Sequence, residues 1–419
     1  MADEIIFGPW VGGVTSAKAT IKAGLANGLT AQLVLSQNSD LSSPSQFSPT
    51  ALSLSSEMTV MAFALTGLQP GQQFHYALRI NGSIATERQG RFRTFPVEGN
   101  PASFTFACAG DAKGGELFFS SFSNHRVFDL IRLADPLFFI HLGDLHYDNI
   151  GSTKIAAHVD GYRGVLKEER QARLYRNVPL AYTWDDHDFC GDASDGKSKG
   201  RKAARLAYQR AVPHYPLVEG EGDVAIYQPF TVGRVRFLLT DTRSERTPRK
   251  DPDSAAKSIL GARQKQWLKD RLLEGRDQFP LQVWVNSVPW IGDPQVEDND
   301  TDAWFSYPTE RNEMGSFIEN NGITNVLMLC ADAHMIAIDD GSNNRGTTGK
   351  GGFPVLCAAP LDRPNSKKGK PFSHGIFDDH KGQYGLITVN DTGEQTVQVT
   401  IRGKHEENTL VTFSFNSPL

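Results

Sequence analysis

An apolar run that stops abruptly on a carboxylate recurs along this chain. The clearest case is Phe138-Phe139-Ile140-His141-Leu142-Gly143-Asp144, continued at once by Leu145, His146 and Tyr147. A short apolar run of this kind fits a strand buried on both faces, as in parallel sheets. Such a strand delivers Asp144 to its C-terminal end, the edge where open α/β sheets bind ligands. Four further runs end alike, in Cys108-Ala109-Gly110-Asp111, Trp184-Asp185-Asp186-His187-Asp188, Asp241-Thr242-Arg243 and Ala331-Asp332-Ala333-His334. Asn286-Ser287 places amide and hydroxyl oxygens at an equivalent point. One acid at a strand end is commonly just a helix cap. Clusters from several parallel strands would meet at one edge, and burying their charges together without counter-ions is very costly. Bound cations resolve that cost, so the pattern predicts a metal site.

The rest of the chain divides by character. Residues 1–97 read as all-β, a small sandwich built from segments such as Ala19–Ala23, Ala31–Leu35, Val60–Leu65 and Phe74–Ile80. Asn81-Gly82 is a strong hairpin turn, and the Ser-rich stretch 39–56 reads as an exposed loop. The Pro/Gly/Asn cluster Val97–Pro101 marks a boundary. Residues 98–419 alternate apolar runs with helix-like segments, at 123–134, 161–176, 197–211, 261–275 and 309–320, which argues for an α/β domain. The tail segments Tyr384–Val389, Thr396–Ile401 and Leu410–Phe415 alternate and are expected to close one sheet edge.

Bulk properties exclude several function classes. The 419 residues carry a net charge of -5 and no long basic run, so a broad nucleic-acid-binding surface is not expected. Metal ions can still supply positive charge for an anionic substrate. No apolar run approaches the ~18 residues of a membrane helix. Cys108, Cys190, Cys330 and Cys357 form no CxxC pair and are too few for a disulfide framework. The opening Met1–Ile6 lacks a basic start with an apolar core behind it. That points to a cytoplasmic location, with a secreted or periplasmic one the alternative if a leader precedes it.

Together the motifs resemble the calcineurin-like metallophosphoesterases, and within them the PhoD-type alkaline phosphatase/phosphodiesterase branch. The matching elements are Cys108 in Phe-Ala-Cys, Asp144 and Tyr147 in Gly-Asp-x-x-Tyr, Trp184–Asp188, Asp241–Arg243, and Asp332 with His334 in Asp-x-His. The resemblance implies a β-sandwich with flanking helices, preceded by a fibronectin-III-like β domain. It implies hydrolysis of phosphate diesters or monoesters at a two-centre metal site. Asp144 would bridge the two cations. Cys108, Tyr147 and His334 would complete an iron centre, with Asp111 a ligand instead of, or beside, Cys108. Asp186 and Asp332, with Asn286 or Ser287, would complete an oxygen-rich centre for calcium, or manganese or magnesium. His187 would lie over the phosphate without binding metal, and Arg243 would clamp phosphoryl oxygens with its guanidinium fork. The basic run Asn365–Lys370 reads as a loop that could steer anions. The competing reading is a non-catalytic binding protein, a β recognition module on a retired phosphoesterase domain. Intact Asp144, Asp186, His187, Asp332 and His334 argue against retirement.

Overall fold

The computed structural model describes residues 4–53, 58–114, 121–292, 301–344, 352–378 and 380–419. Among these residues the strands form three sheets. The ten-stranded sheet runs Asn408–Pro418, Thr396–His405, Gln383–Asn390, Phe104–Ala109, Phe139–His141, Leu180–Tyr182, Ile5–Gly12, Ala19–Ala26, Met58–Leu65, Thr50–Ser53. The seven-stranded sheet runs Gln228–Val232, Val235–Leu239, Leu281–Val285, Val326–Cys330, Val355–Ala358, Ile336–Asp339, Ile376–Phe377. A smaller sheet centres on Ala31–Ser36 and Gln73–Ile80.

The two large sheets pack face to face, and alternation along their strands explains why. Phe104, Phe106 and Cys108 enter the core between the sheets, as do Ile140, Phe237, Val283 and Leu329. Ala107, Ala109 and Phe139 face outward, under Val127–Leu133, Ile155–Val165, Glu169–Asn177 and Arg201–Ala211. Trp284 and Met328 face the other way, under Gly261–Gly275 and Pro308–Asn320. The order helix, sheet, sheet, helix is an α/β sandwich, and it leaves the central strands buried on both faces, as their apolar runs require.

Phe104–Ala109, Phe139–His141 and Leu180–Tyr182 pair in parallel, as do Val235–Leu239, Leu281–Val285 and Val326–Cys330. Their C-terminal ends therefore lie together. Ile5–Gly12 joins the first sheet through a parallel pairing of Gly12 with Leu180. A Cβ at Gly12 would lie 2.3 Å from the Pro213 carbonyl oxygen and 2.5 Å from that of Leu180, so only glycine permits this approach. The core of the N-terminal strands is continuous with the core between the sheets.

Several local expectations change. The Ser-rich stretch contains two short strands, Ser45–Phe47 and Thr50–Ser53, paired to Ala31–Ser36 and Met58–Leu65; residues 54–56 lie outside the described residues. Sheet margins with one wet face tolerate such polar composition. The helix expected at 161–176 is two, Ile155–Val165 and Glu169–Asn177. Asn81 and Gly82 both adopt positive φ, +48° and +87°, the turn their sequence predicts.

Candidate metal centre

The strand ends converge as their sequence implies, and their backbone is unusual there. Asp111, Asp144, Asp332 and His334 all take left-handed φ, between +48° and +64°. Non-glycine residues seldom adopt this conformation, and it clusters at functional sites. At Gly143, φ is +104°, and an added Cβ would sit 2.6 Å from that of Asp185. The tight turn after Phe139–His141 thus needs glycine so that two acid-bearing loops can touch.

The acids then separate into two groups. Asp241 and Asp188 are structural. Asp241 accepts from Trp184 Nε1 at 2.8 Å, from the backbone of Ile226, Arg243 and Ser244, and from the Ser244 hydroxyl. Asp188 accepts from Tyr182 Oη at 2.6 Å and from the amides of Leu145 and Asp185. Asp185 is tied through Oδ1 to Arg243 and to the Ser287 hydroxyl, while its Oδ2 has no partner among the described residues.

The second group is left wanting. Asp111 Oδ2, Asp144 Oδ2, Tyr147 Oη and His334 Nδ1 are all buried and have no hydrogen-bond partner among the described residues. His334 Nε2 stands 3.7 Å from Asp111 Oδ2. Burial pushes Asp111 up to about 8, with Asp185 adding to the effect and Lys368 opposing it. Burial, with repulsion from Asp186, Asp185, Asp188 and Asp111, raises Asp144 well above the usual carboxylate range. Asp332 is raised in the same way. Burial also raises the Tyr147 phenol and holds the His334 imidazole down to about 3, so His334 is neutral and free to ligate. Oxygen and imidazole donors that are buried, orphaned and mutually repelling are what a cation would satisfy.

Asp144, Asp186 and His187 form a donor cluster, each offering a ligand atom within 4.8 Å of the others. Asp186 runs against the trend. Burial would raise its pKa, but Arg243 and His187 outweigh burial and hold it below the usual value. His187 Nδ1 lies 2.6 Å from Asn149 Oδ1, and its ring stands 4.1 Å from that of Tyr147. Tyr147, Asp186, His187, Asp332 and His334 line one cavity of about 360 Å³.

Three sequence expectations need correction. Cys108 is a core residue. Strand alternation turns its thiol between the sheets, against Gly385, where burial raises its pKa far above normal. Asp111, three residues on and past the strand end, turns into the site instead. Asn286 Oδ1 accepts from Trp304 Nε1 and from the Val288 amide, both at 3.1 Å, so its oxygen is engaged away from the cavity; Ser287 is engaged by Asp185 and Thr242. Arg243 is 1% exposed and does not line the cavity. Its Nε donates to Asp185 at 2.5 Å and its Nη1 to Asp302 at 2.7 Å, which makes it an internal counter-ion behind the acids.

Two cavity residues carry no clear signal in the sequence. Asp302 pairs with both Arg243 and Arg246, yet no apolar run precedes it. Lys368 donates to Asp332 Oδ2 at 2.6 Å, from a run that reads only as a basic loop.

The fold and the acid-lined edge together define the metallophosphoesterase class. Residues 105–403 match the PhoD-like phosphatase family, and the chain belongs to that family. It is 24% identical over 312 residues to "Alkaline phosphatase D" of Bacillus subtilis (strain 168), a match covering 64% of this chain and 52% of that protein. This chain therefore spans about half the length of that curated relative. A solved structure described as "Structure of PhoD" superposes with a TM-score of 0.74 at 18% identity, covering 99% of this chain and 91% of the other. The purple acid phosphatase PPD1 from yellow lupin (Lupinus luteus) seeds gives 0.67 at 14% identity, covering 97% and 73%. These two likenesses concern the fold.

Proposed function

We propose that this chain is a metal-dependent phosphoesterase that hydrolyses phosphate monoesters, diesters or both. The observation that carries this reading is the set of buried, unpartnered donors on Asp111, Asp144, Tyr147 and His334 at the end of a phosphatase-family sandwich. Asp111, Tyr147 and His334 would hold one cation and Asp186 with Asp332 a second, Asp144 bridging both. A phenolate and an imidazole suit iron in the first position; carboxylates suit calcium, magnesium or manganese in the second. Such cations supply a nucleophilic water near neutral pH and neutralise phosphoryl oxygens.

The residues do the rest. His187 faces the cavity with its ring braced by Asn149 and Tyr147, which sets the direction in which its Nε2 meets the phosphoryl group or the leaving oxygen. Proton transfer by a group so placed is typically worth ~10²–10⁴-fold. Arg243 and Arg246 neutralise Asp185 and Asp302 from behind, leaving the front acids to the cations.

Metal analysis with turnover of 4-nitrophenyl phosphate and bis(4-nitrophenyl) phosphate tests this reading. The expected result is two bound metals per chain and turnover of at least one substrate, with His187→Ala losing about 100-fold or more. A metal-free, inert protein would overturn it.

A further inference from the structure

The cavity is lined by cationic side chains as well as by acids. Lys113, Arg249, Arg363 and Lys368 all line it, the last two from one loop segment and the others from elsewhere in the chain. Lys368 is the most deeply committed. Its Nζ lies 2.6 Å from Asp332 Oδ2, and its side chain is only 17% exposed.

The segment that carries Lys368 is built to hold it there. Lys367 points the other way, to Asp378 at 2.8 Å. Gly369, at φ +79°, rests on the backbone of Ile291, where an added Cβ would meet the carbonyl oxygen at 2.0 Å. One lysine is thus anchored outside, its neighbour turned inside, and the next residue locked against the second sheet's loop. Burying an ammonium in this way is costly unless carboxylates compensate it, and here Asp332, Asp302 and Asp186 all do so. An ammonium has three donors. Asp332 takes one, and the residue lines the same cavity as His187.

We propose that Lys368 is a specificity residue that reads the charge of the substrate's phosphoryl group, favouring the dianionic group of a phosphomonoester over the monoanionic group of a diester. The inference rests on the phosphoesterase reading above. A monoester presents three non-bridging oxygens sharing two charges, and the third oxygen is what a donor on the wall can meet. A diester puts an uncharged alkoxy group in its place, which leaves the ammonium donors not taken by Asp332 without a charged acceptor on the substrate. Arg363 lies on the same wall and reinforces the preference. The cavity, near the small end for ligand sites, suits a compact ester.

The test compares metal-loaded wild type with Lys368→Met, Lys368→Gln and Lys368→Arg. The measurements are kcat/KM on 4-nitrophenyl phosphate and on bis(4-nitrophenyl) phosphate, the Kd for inorganic phosphate by calorimetry, and metal content. Lys368→Met is expected to lower monoester kcat/KM by about 10-fold or more, the effect of losing one charged hydrogen bond. Diester kcat/KM should fall by less than about threefold, phosphate binding should weaken about 10-fold, and metal content should hold. Lys368→Arg should restore most of the loss, and Lys368→Gln replaces Lys368→Met if the latter does not fold. Equal loss on both substrates, or loss of metal, would make Lys368 a mere support for Asp332 and overturn the inference. If wild type turns over neither ester, the phosphoesterase reading fails. The phosphate titration then decides the role of Lys368 by itself, an unchanged Kd overturning it and a weakened one sustaining it.

Discussion

Three residues separate Cys108 from Asp111, yet their side chains end in opposite environments. Cys108 is the last inward-facing residue of its strand, so its thiol joins the apolar core. Asp111 lies beyond the strand, in a left-handed conformation at φ +64° that swings its carboxyl to His334. A thiol there and a carboxyl here look interchangeable in sequence, because both stand near an apolar run and both can bind metal. The two are separable by experiment. Asp111→Asn should cut bound metal and lower kcat/KM by about 100-fold or more, as loss of a ligand does. Cys108→Ala should keep full metal content and cost about 1–2 kcal/mol of stability, as a small core truncation does. Equal metal loss in both would return Cys108 to the site. Arg243 teaches the same lesson. Its Asp-Thr-Arg context suggests a phosphate clamp, and only the salt bridges to Asp185 and Asp302 reveal a buried counter-ion.

At the scale of elements, the strand-end turns and the strand Ala19–Ala26 carry the informative chemistry. The turns accept unfavourable φ at four candidate ligands because neighbouring backbone fixes them, as in the bond from the Ala112 amide to the Asp144 carbonyl at 2.9 Å. The strand contains Lys22, 6% exposed, whose Nζ donates to the Gln209 carbonyl at 2.6 Å. Burial pushes its pKa down to about 7 from 10.5, with Glu221 opposing. A depressed base is neutral when folded and charged when unfolded across that interval. The unfolded chain therefore binds the extra proton, and the contribution of Lys22 to stability rises with pH from about 7 to 10.5. In urea unfolding at pH 7 and pH 9, wild type should gain stability on the order of a few kcal/mol from this group, and Lys22→Met should lose most of that gain. A Lys22→Met protein with the wild-type slope would show that the ammonium finds solvent.

Across the whole molecule, two sheets place their parallel strand ends at one rim, and the rim gathers more carboxylates than its arginines and lysine neutralise. Burial raises the pKa values of Asp111, Asp144 and Asp332, and repulsion from neighbouring carboxylates adds to it. Cation binding should therefore stabilise the fold as well as supply chemistry. Exhaustive chelation should lower Tm by roughly 5 °C or more, reversibly on adding metal back, since a ligand at 100 times its Kd contributes about 2.7 kcal/mol. An unchanged Tm after verified metal removal would count against cation neutralisation of the rim. No helix among the described residues is long and apolar enough to cross a membrane.

Buried-strand composition made the central strands and the positions of Asp144, Asp186, Asp332 and His334 legible from residue order alone. An apolar run must be covered on both faces, and the polar residues after it must emerge at the sheet's end. Strands whose pattern is mixed, such as Ile5–Gly12 and Gln228–Val232, were not legible, because their partners rather than their composition make them strands. Tertiary structure alone decided which acids are spent on internal hydrogen bonds, which way the Cys108 thiol turns, and that a lysine from a remote basic run is buried against Asp332. Those outcomes depend on which side chains meet, and a linear order of residues does not encode meeting until the two sheets have closed.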